Sequence, residues 1–143
     1  MKLDIALTIA QRTLVEGRNR GFAPLTAAVL DTGGHTVALL RADGSSLLRP
    51  QIATGKAWGV LGMGFGGREL AQRAVKMPTF FNALIEMSDG RMVPVPGGVL
   101  VRSQSGELVG ALGVSGDTSD NDELCAVAAI EAAGLKADTG AAD

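Results

Sequence analysis

Few side chains in this sequence can do chemistry, and they fall in a handful of places. His35 is the only histidine. A neutral imidazole can act as a general base or as an axial ligand to haem iron, while a histidine ending a turn can equally bond only to local backbone. One histidine excludes paired-histidine metal sites, and a Ser–His–Asp triad would rest on His35 alone. Nor is there a nucleophile elbow: in Gly113-Val114-Ser115-Gly116-Asp117 the last position holds Asp where G-x-S-x-G needs glycine.

The acidic group Asp117, Asp120, Asp122 and Glu123 carries two readings. Asp120-x-x-Glu123 offers hard oxygen ligands to a ferric or divalent ion. Ser119-x-x-Asp122 resembles a capping box, and carboxylates at a helix start favour its N-terminus without any ligand. Asp122 or His35 could also move a proton in acid/base catalysis. Lys56 is a lone cation that either meets a carboxylate ligand or snorkels to solvent. Cys125 is the only cysteine, which excludes an intrachain disulfide and a multi-cysteine zinc site and suits a small buried residue.

Gly62 to Gly67 (GMGFGG) satisfies G-x-G-x-x-G. A dinucleotide fingerprint needs a preceding strand and an acidic residue ending a second strand. Here helical pattern precedes it and Glu86 falls inside another helical segment, so the expectation is a loop over a pocket. Gly97-Gly98 would let backbone N–H groups approach a ligand, with Ser115 donating from a neighbouring strand end.

The elements that must position these residues follow from pattern. Leu3, Leu7, Ala10 and Leu14 recur at helical spacing. Residues 24–31 and 35–41 form a hairpin around Asp31-Thr32-Gly33-Gly34. A small-faced helix runs from Pro50 to about Leu61, with shorter helices over 68–76 and 78–87, parted at Met77-Pro78. Pro94 and Pro96 bar residues 92–98 from a central strand and leave at most an edge strand running into a loop. Residues 99–104 and 107–115 form a second hairpin, and a last helix ends near Gly134. Hairpins instead of alternating βα units imply an α+β sandwich with an antiparallel sheet. Residues 1–143 read as one domain, with 136–143 a loose tail.

Composition narrows the classes further. The chain has 143 residues, 46% hydrophobic and only 3% aromatic, with 20 glycines and a net charge of −2. Without a basic stripe or stacking aromatics, nucleic acid is excluded as a partner. No apolar run approaches the roughly 18 residues of a membrane span. The N-terminal MKLDIALTIAQR lacks signal-peptide features, so a cytoplasmic location is expected.

Three stretches then resemble a known family: Val29 to His35 (VLDTGGH), Ile52 to Ala57 (IATGKA), and a C-terminal third with Val95-Pro96-Gly97-Gly98, Leu108 to Gly116 (LVGALGVSG) and Asn121 to Cys125 (NDELC). In this order they are similar to the GlcG/HbpS family, which includes the C-terminal domain of PduO-type proteins. The resemblance implies a profilin-like or Roadblock-like sandwich with a five-stranded antiparallel sheet. It also implies homo-oligomers, often octamers, and a small-molecule ligand, with haem as the cofactor some members bind or degrade. The first-helix histidine that the resemblance associates with haem coordination in a PduO-type relative has no counterpart between Asp4 and Gly17.

The expected function is small-ligand binding, with haem or a related tetrapyrrole bound or degraded. The alternative is a catabolic enzyme acting on a small organic acid or aromatic-ring product by acid/base chemistry. The expected site groups His35 and Asp122 as proton carriers, Lys56, Gly97, Gly98 and Ser115 as ligand contacts, and Asp120 and Glu123 as metal ligands.

Overall fold

The computed structural model describes residues 1–142. Five strands form one antiparallel sheet: β1 (Thr26–Asp31), β2 (Thr36–Arg41), β3 (Gly98–Arg102), β4 (Leu108–Ser115) and β5 (Lys136–Asp138), in the order β2-β1-β4-β3-β5. Helices α1 (Leu3–Asn19) and α5 (Ser119–Ala132) cover one face, and α2 (Arg49–Met63) covers the other, flanked by α3 (Gly67–Lys76) and α4 (Pro78–Met87). This is the expected α+β sandwich with a five-stranded antiparallel sheet flanked by helices.

Strand alternation sorts side chains by size. Val29, Val99, Val101, Leu112 and Val114 point toward α1 and α5 and join Ile9 and Ile130 in one core cluster. The other face carries smaller residues. Gly98 pairs with Gly113 in register, and a Cβ on either would strike the α2 backbone, at Lys56 O and Ala53 O respectively. The main chain of α2 therefore rests directly on the sheet, with Ala57 and Val60 packed against Leu30, Leu100 and Ala111.

Two expectations are corrected at the sheet edge. Residues 92–97 form no strand; they run as a strap along α2, with Val93 N–H donating to Gly55 O at 3.1 Å. The fifth strand lies in the segment expected to be a loose tail. Lys136–Asp138 pairs with β3, and Arg102 Nε donates to Asp138 Oδ2 at 2.9 Å. Arg68 N–H then donates to Thr139 O at 3.0 Å. The open edge of β3 needs backbone partners, and the tail supplies them where the prolines of 92–97 cannot. Asp143, the last residue of that expected tail, lies outside the described residues.

The glycine-rich stretch is also more ordered than a loop. α2 runs through Gly62 to Met63, Gly64 closes it in the left-handed region at φ +78°, and Gly66 caps α3. At α5 the cap is Thr118, one residue before the expected Ser119, its hydroxyl accepting from Asn121 N–H at 3.2 Å.

Candidate functional site

Five of the expected residues gather at one end of the sheet. Lys56 Nζ donates to Val114 O at 2.8 Å and to Asp122 Oδ2 at 3.1 Å, while Asp117 N–H donates to Asp122 Oδ1 at 2.9 Å. Gly97, at φ +108°, makes the passage for this side chain: a Cβ there would sit 2.9 Å from Lys56 Nζ and 2.9 Å from Val114 O. Gly98 lies under the Lys56 backbone. Ser115, fully buried, accepts from Arg49 Nη1 at 3.1 Å.

This centre is closed. Lys56 is 2% exposed and Asp122 1%. Burial lowers the Lys56 pKa and raises that of Asp122, and the attraction between the two opposes both shifts. Every polar atom has a partner, and no buried side-chain N or O among the described residues is left unbonded. Arg49, a cation whose spacing in the sequence is nonspecific, adds a further positive charge near the pair.

His35 is elsewhere. Thr26 pairs with Ser115 while Asp31, beside His35, pairs with Gly110. Five residues of strand separate them, about 17 Å at the usual rise. The His35 side chain is 81% exposed at the hairpin tip, its Nδ1 3.1 Å from Asp31 Oδ1. His35 and Asp122 therefore do not form one proton-transfer pair. Asp120 and Glu123, the expected metal ligands, both accept from Arg68: Nη2 reaches Asp120 Oδ1 at 2.7 Å and Glu123 Oε1 at 2.9 Å. Among the described residues no three His, Cys, Asp or Glu side chains converge. A guanidinium occupies the place expected for a metal ion, and its pKa is raised by these carboxylates.

The open space lies on the outer side of α2. Leu39 of β2, the Pro50, Gln51, Thr54, Gly55 and Trp58 stripe of α2, and the turn Asp89–Arg91 line a groove of about 470 Å³. Gly55 brings the two walls together, because a Cβ there would sit 2.6 Å from Val93 Cγ2 and 3.0 Å from Arg91 O. The Arg91 guanidinium consequently lies 4.6 Å from the Trp58 ring centroid. A smaller cleft of about 160 Å³ adjoins the other side of Trp58, against Thr32–Gly34. A third groove, about 510 Å³, lies between the end of α1 and β2, where Arg18 and Arg41 are accompanied by Asp43.

A family model described as "Haem degrading protein HbpS-like" matches residues 1–131. The chain belongs to the HbpS-like family. Among curated proteins it is 26% identical over 108 residues to an uncharacterized 15.0 kDa protein of the dhaT-dhaS intergenic region of Citrobacter freundii, covering 76% of this chain and 75% of that one. Among solved structures, a double mutant of Streptomyces reticuli HbpS is 27% identical with a TM-score of 0.80, over 92% of this chain and 86% of that chain. The PduOC:Heme complex is 22% identical with a TM-score of 0.83, over 99% of each chain. No helix among the described residues is long and apolar enough to cross a membrane.

Proposed function

We propose that this HbpS-like chain binds a small ligand of the haem or tetrapyrrole class, in the groove outside α2. The observation that carries the reading is that groove: about 470 Å³, largely apolar, with the only tryptophan of the chain in its wall. Ligand sites are typically concave, apolar and equipped with a few fixed polar groups. The family description and the haem complex of the PduOC relative support the class. The closed Lys56–Asp122 centre offers no open proton carrier, so acid/base catalysis gains no support from it.

Homo-oligomerisation belongs to the same reading. Val75, Phe80 and Met87 on α3 and α4 are 82%, 50% and 75% exposed, and a second copy of the chain is the natural cover for such a surface. Hemin titration of the purified protein tests the ligand class: a saturable Soret shift at micromolar hemin is expected, and a flat titration overturns it. Degradation is read in the same cuvette as loss of that band after an electron donor is added. Light scattering tests the assembly.

A further inference from the structure

Trp58 and Arg91 form a preassembled pair on the groove wall, and among the described residues no carboxylate pairs with Arg91. Arg91 Nε donates to Ser88 O at 2.8 Å and the guanidinium carbon lies over the indole at 4.6 Å from its ring centroid, two contacts that hold the guanidinium beside Trp58. Its terminal nitrogens have no carboxylate partner among the described residues. The groove beside them is floored by Leu39 and Pro50 and by Gly55, which has no side chain. An apolar floor beside a guanidinium that has no ion-pair partner suits a planar carboxylate: the ring lies along the floor next to the Trp58–Arg91 pair, and the carboxylate meets Arg91.

The same lining holds no His, Cys or Met. His35 is on the hairpin tip, its Nδ1 engaged with Asp31, and is not among the residues that line the groove. We infer that the groove recognises planar aromatic carboxylates through Trp58 and Arg91, and that a porphyrin bound there is held by its ring and carboxylates without an axial ligand from this chain. The inference rests on the tetrapyrrole reading only for the identity of the ring; the pairing of a flat ring with a carboxylate stands on the groove itself. Asp89, on the same rim, is the one carboxylate facing the ligand. It sits at φ +57°, a conformation asparagine also adopts readily, so Asp89→Asn removes the charge without straining the turn.

The test uses the indole N–H signal of Trp58, unique in an ¹⁵N-labelled sample because the chain has one tryptophan. Hemin, metal-free protoporphyrin IX, 2-naphthoate and 2-naphthamide are titrated separately. Both porphyrins and the naphthoate are expected to move the signal, with similar affinity for the two porphyrins and little response to the amide. Arg91→Gln should weaken each carboxylate by about tenfold or more, the usual weight of a charge-assisted hydrogen bond. Asp89→Asn should tighten them, and Leu39→Glu should block all three. Hemin binding that leaves Trp58 and the Arg91→Gln affinity untouched would overturn the inference while the tetrapyrrole reading survives. So would selective binding of hemin with a histidine-ligated spectrum lost in His35→Ala. Naphthoate binding without either porphyrin would uphold the groove and overturn the tetrapyrrole reading. Silence of Trp58 toward every carboxylate overturns the inference outright.

Discussion

Lys56 and Asp122 join the two helical layers around the end of the sheet: Nζ of a residue on α2 meets Oδ2 of a residue on α5 at 3.1 Å, with both side chains almost fully buried. Such a pair gains little over an apolar pair of the same volume, but each half is costly without the other. Lys56→Met or Asp122→Leu alone should cost about 3–5 kcal/mol of stability, while the double variant should recover most of it. Urea unfolding of the four proteins in a double-mutant cycle measures this. Strictly additive losses would show that the pair is not coupled.

Acid should weaken the fold through other carboxylates. Asp117 accepts from the backbone N–H of Ala23 and from Asn121 and Thr118, and these bonds hold its pKa below the ordinary aspartate value. Asp31 is lowered in the same way, first by the backbone N–H of His35. A depressed folded pKa means that the unfolded chain binds more protons in that window, so stability is lost as pH falls below about 3.9. Asp122, whose pKa burial raises against the pull of Lys56, does not add to this acid loss. Urea unfolding from about pH 5 to pH 2 should therefore fall less steeply in Asp117→Asn than in the parent. Parallel curves would remove Asp117 from the acid limb.

Much of this was legible along the chain because it is local. Val99 and Val101 alternate with Gly98 and Leu100, and the hairpin turns carry their glycines, so four strands and five helices follow from pattern. The motif residues Lys56, Gly97, Gly98, Ser115 and Asp122 do meet in space. That they meet in a closed centre depends on α2 lying against Gly98 and Gly113, a contact between segments far apart in sequence. β5 has three residues, Lys136, Ala137 and Asp138, with no strand pattern of their own; only the vacant edge of β3 makes them a strand. Arg91 and Trp58 carry no spacing signal either, since their meeting is set by the close approach at Gly55.

Cys125 gives a direct readout of opening. It is fully buried between α5 and the sheet, and desolvation pushes its thiol up to about 11. Thiolate is the reactive form, so a disulfide reagent at mildly alkaline pH should label the native protein only as fast as it unfolds. Labelling rates should rise with urea along the unfolding curve. Rapid stoichiometric labelling in buffer alone would contradict the burial.

The approach of the strap to α2 predicts opposite outcomes for two glycines one turn apart. A Cβ at Gly55 would press on a backbone carbonyl and a β-branched side chain, at 3.0 Å from Arg91 O and 2.6 Å from Val93 Cγ2. Neither yields easily, so Gly55→Ala should destabilise by about 1–3 kcal/mol, as overpacking does. It should also lift Arg91 from the indole and change Trp58 emission. At Gly59 the one close atom is Met92 Cγ, 2.9 Å away, on a buried side chain, with the next atoms at 3.7 Å and beyond. An unbranched thioether can re-pack by the few tenths of an ångström required. There the helix preference for alanine, about 1 kcal/mol, should offset the crowding, leaving Gly59→Ala near neutral with Trp58 emission unchanged. Thermal melts and emission spectra of the two variants decide it. Equal destabilisation by both would mean that the strap does not rest on Gly55 as described.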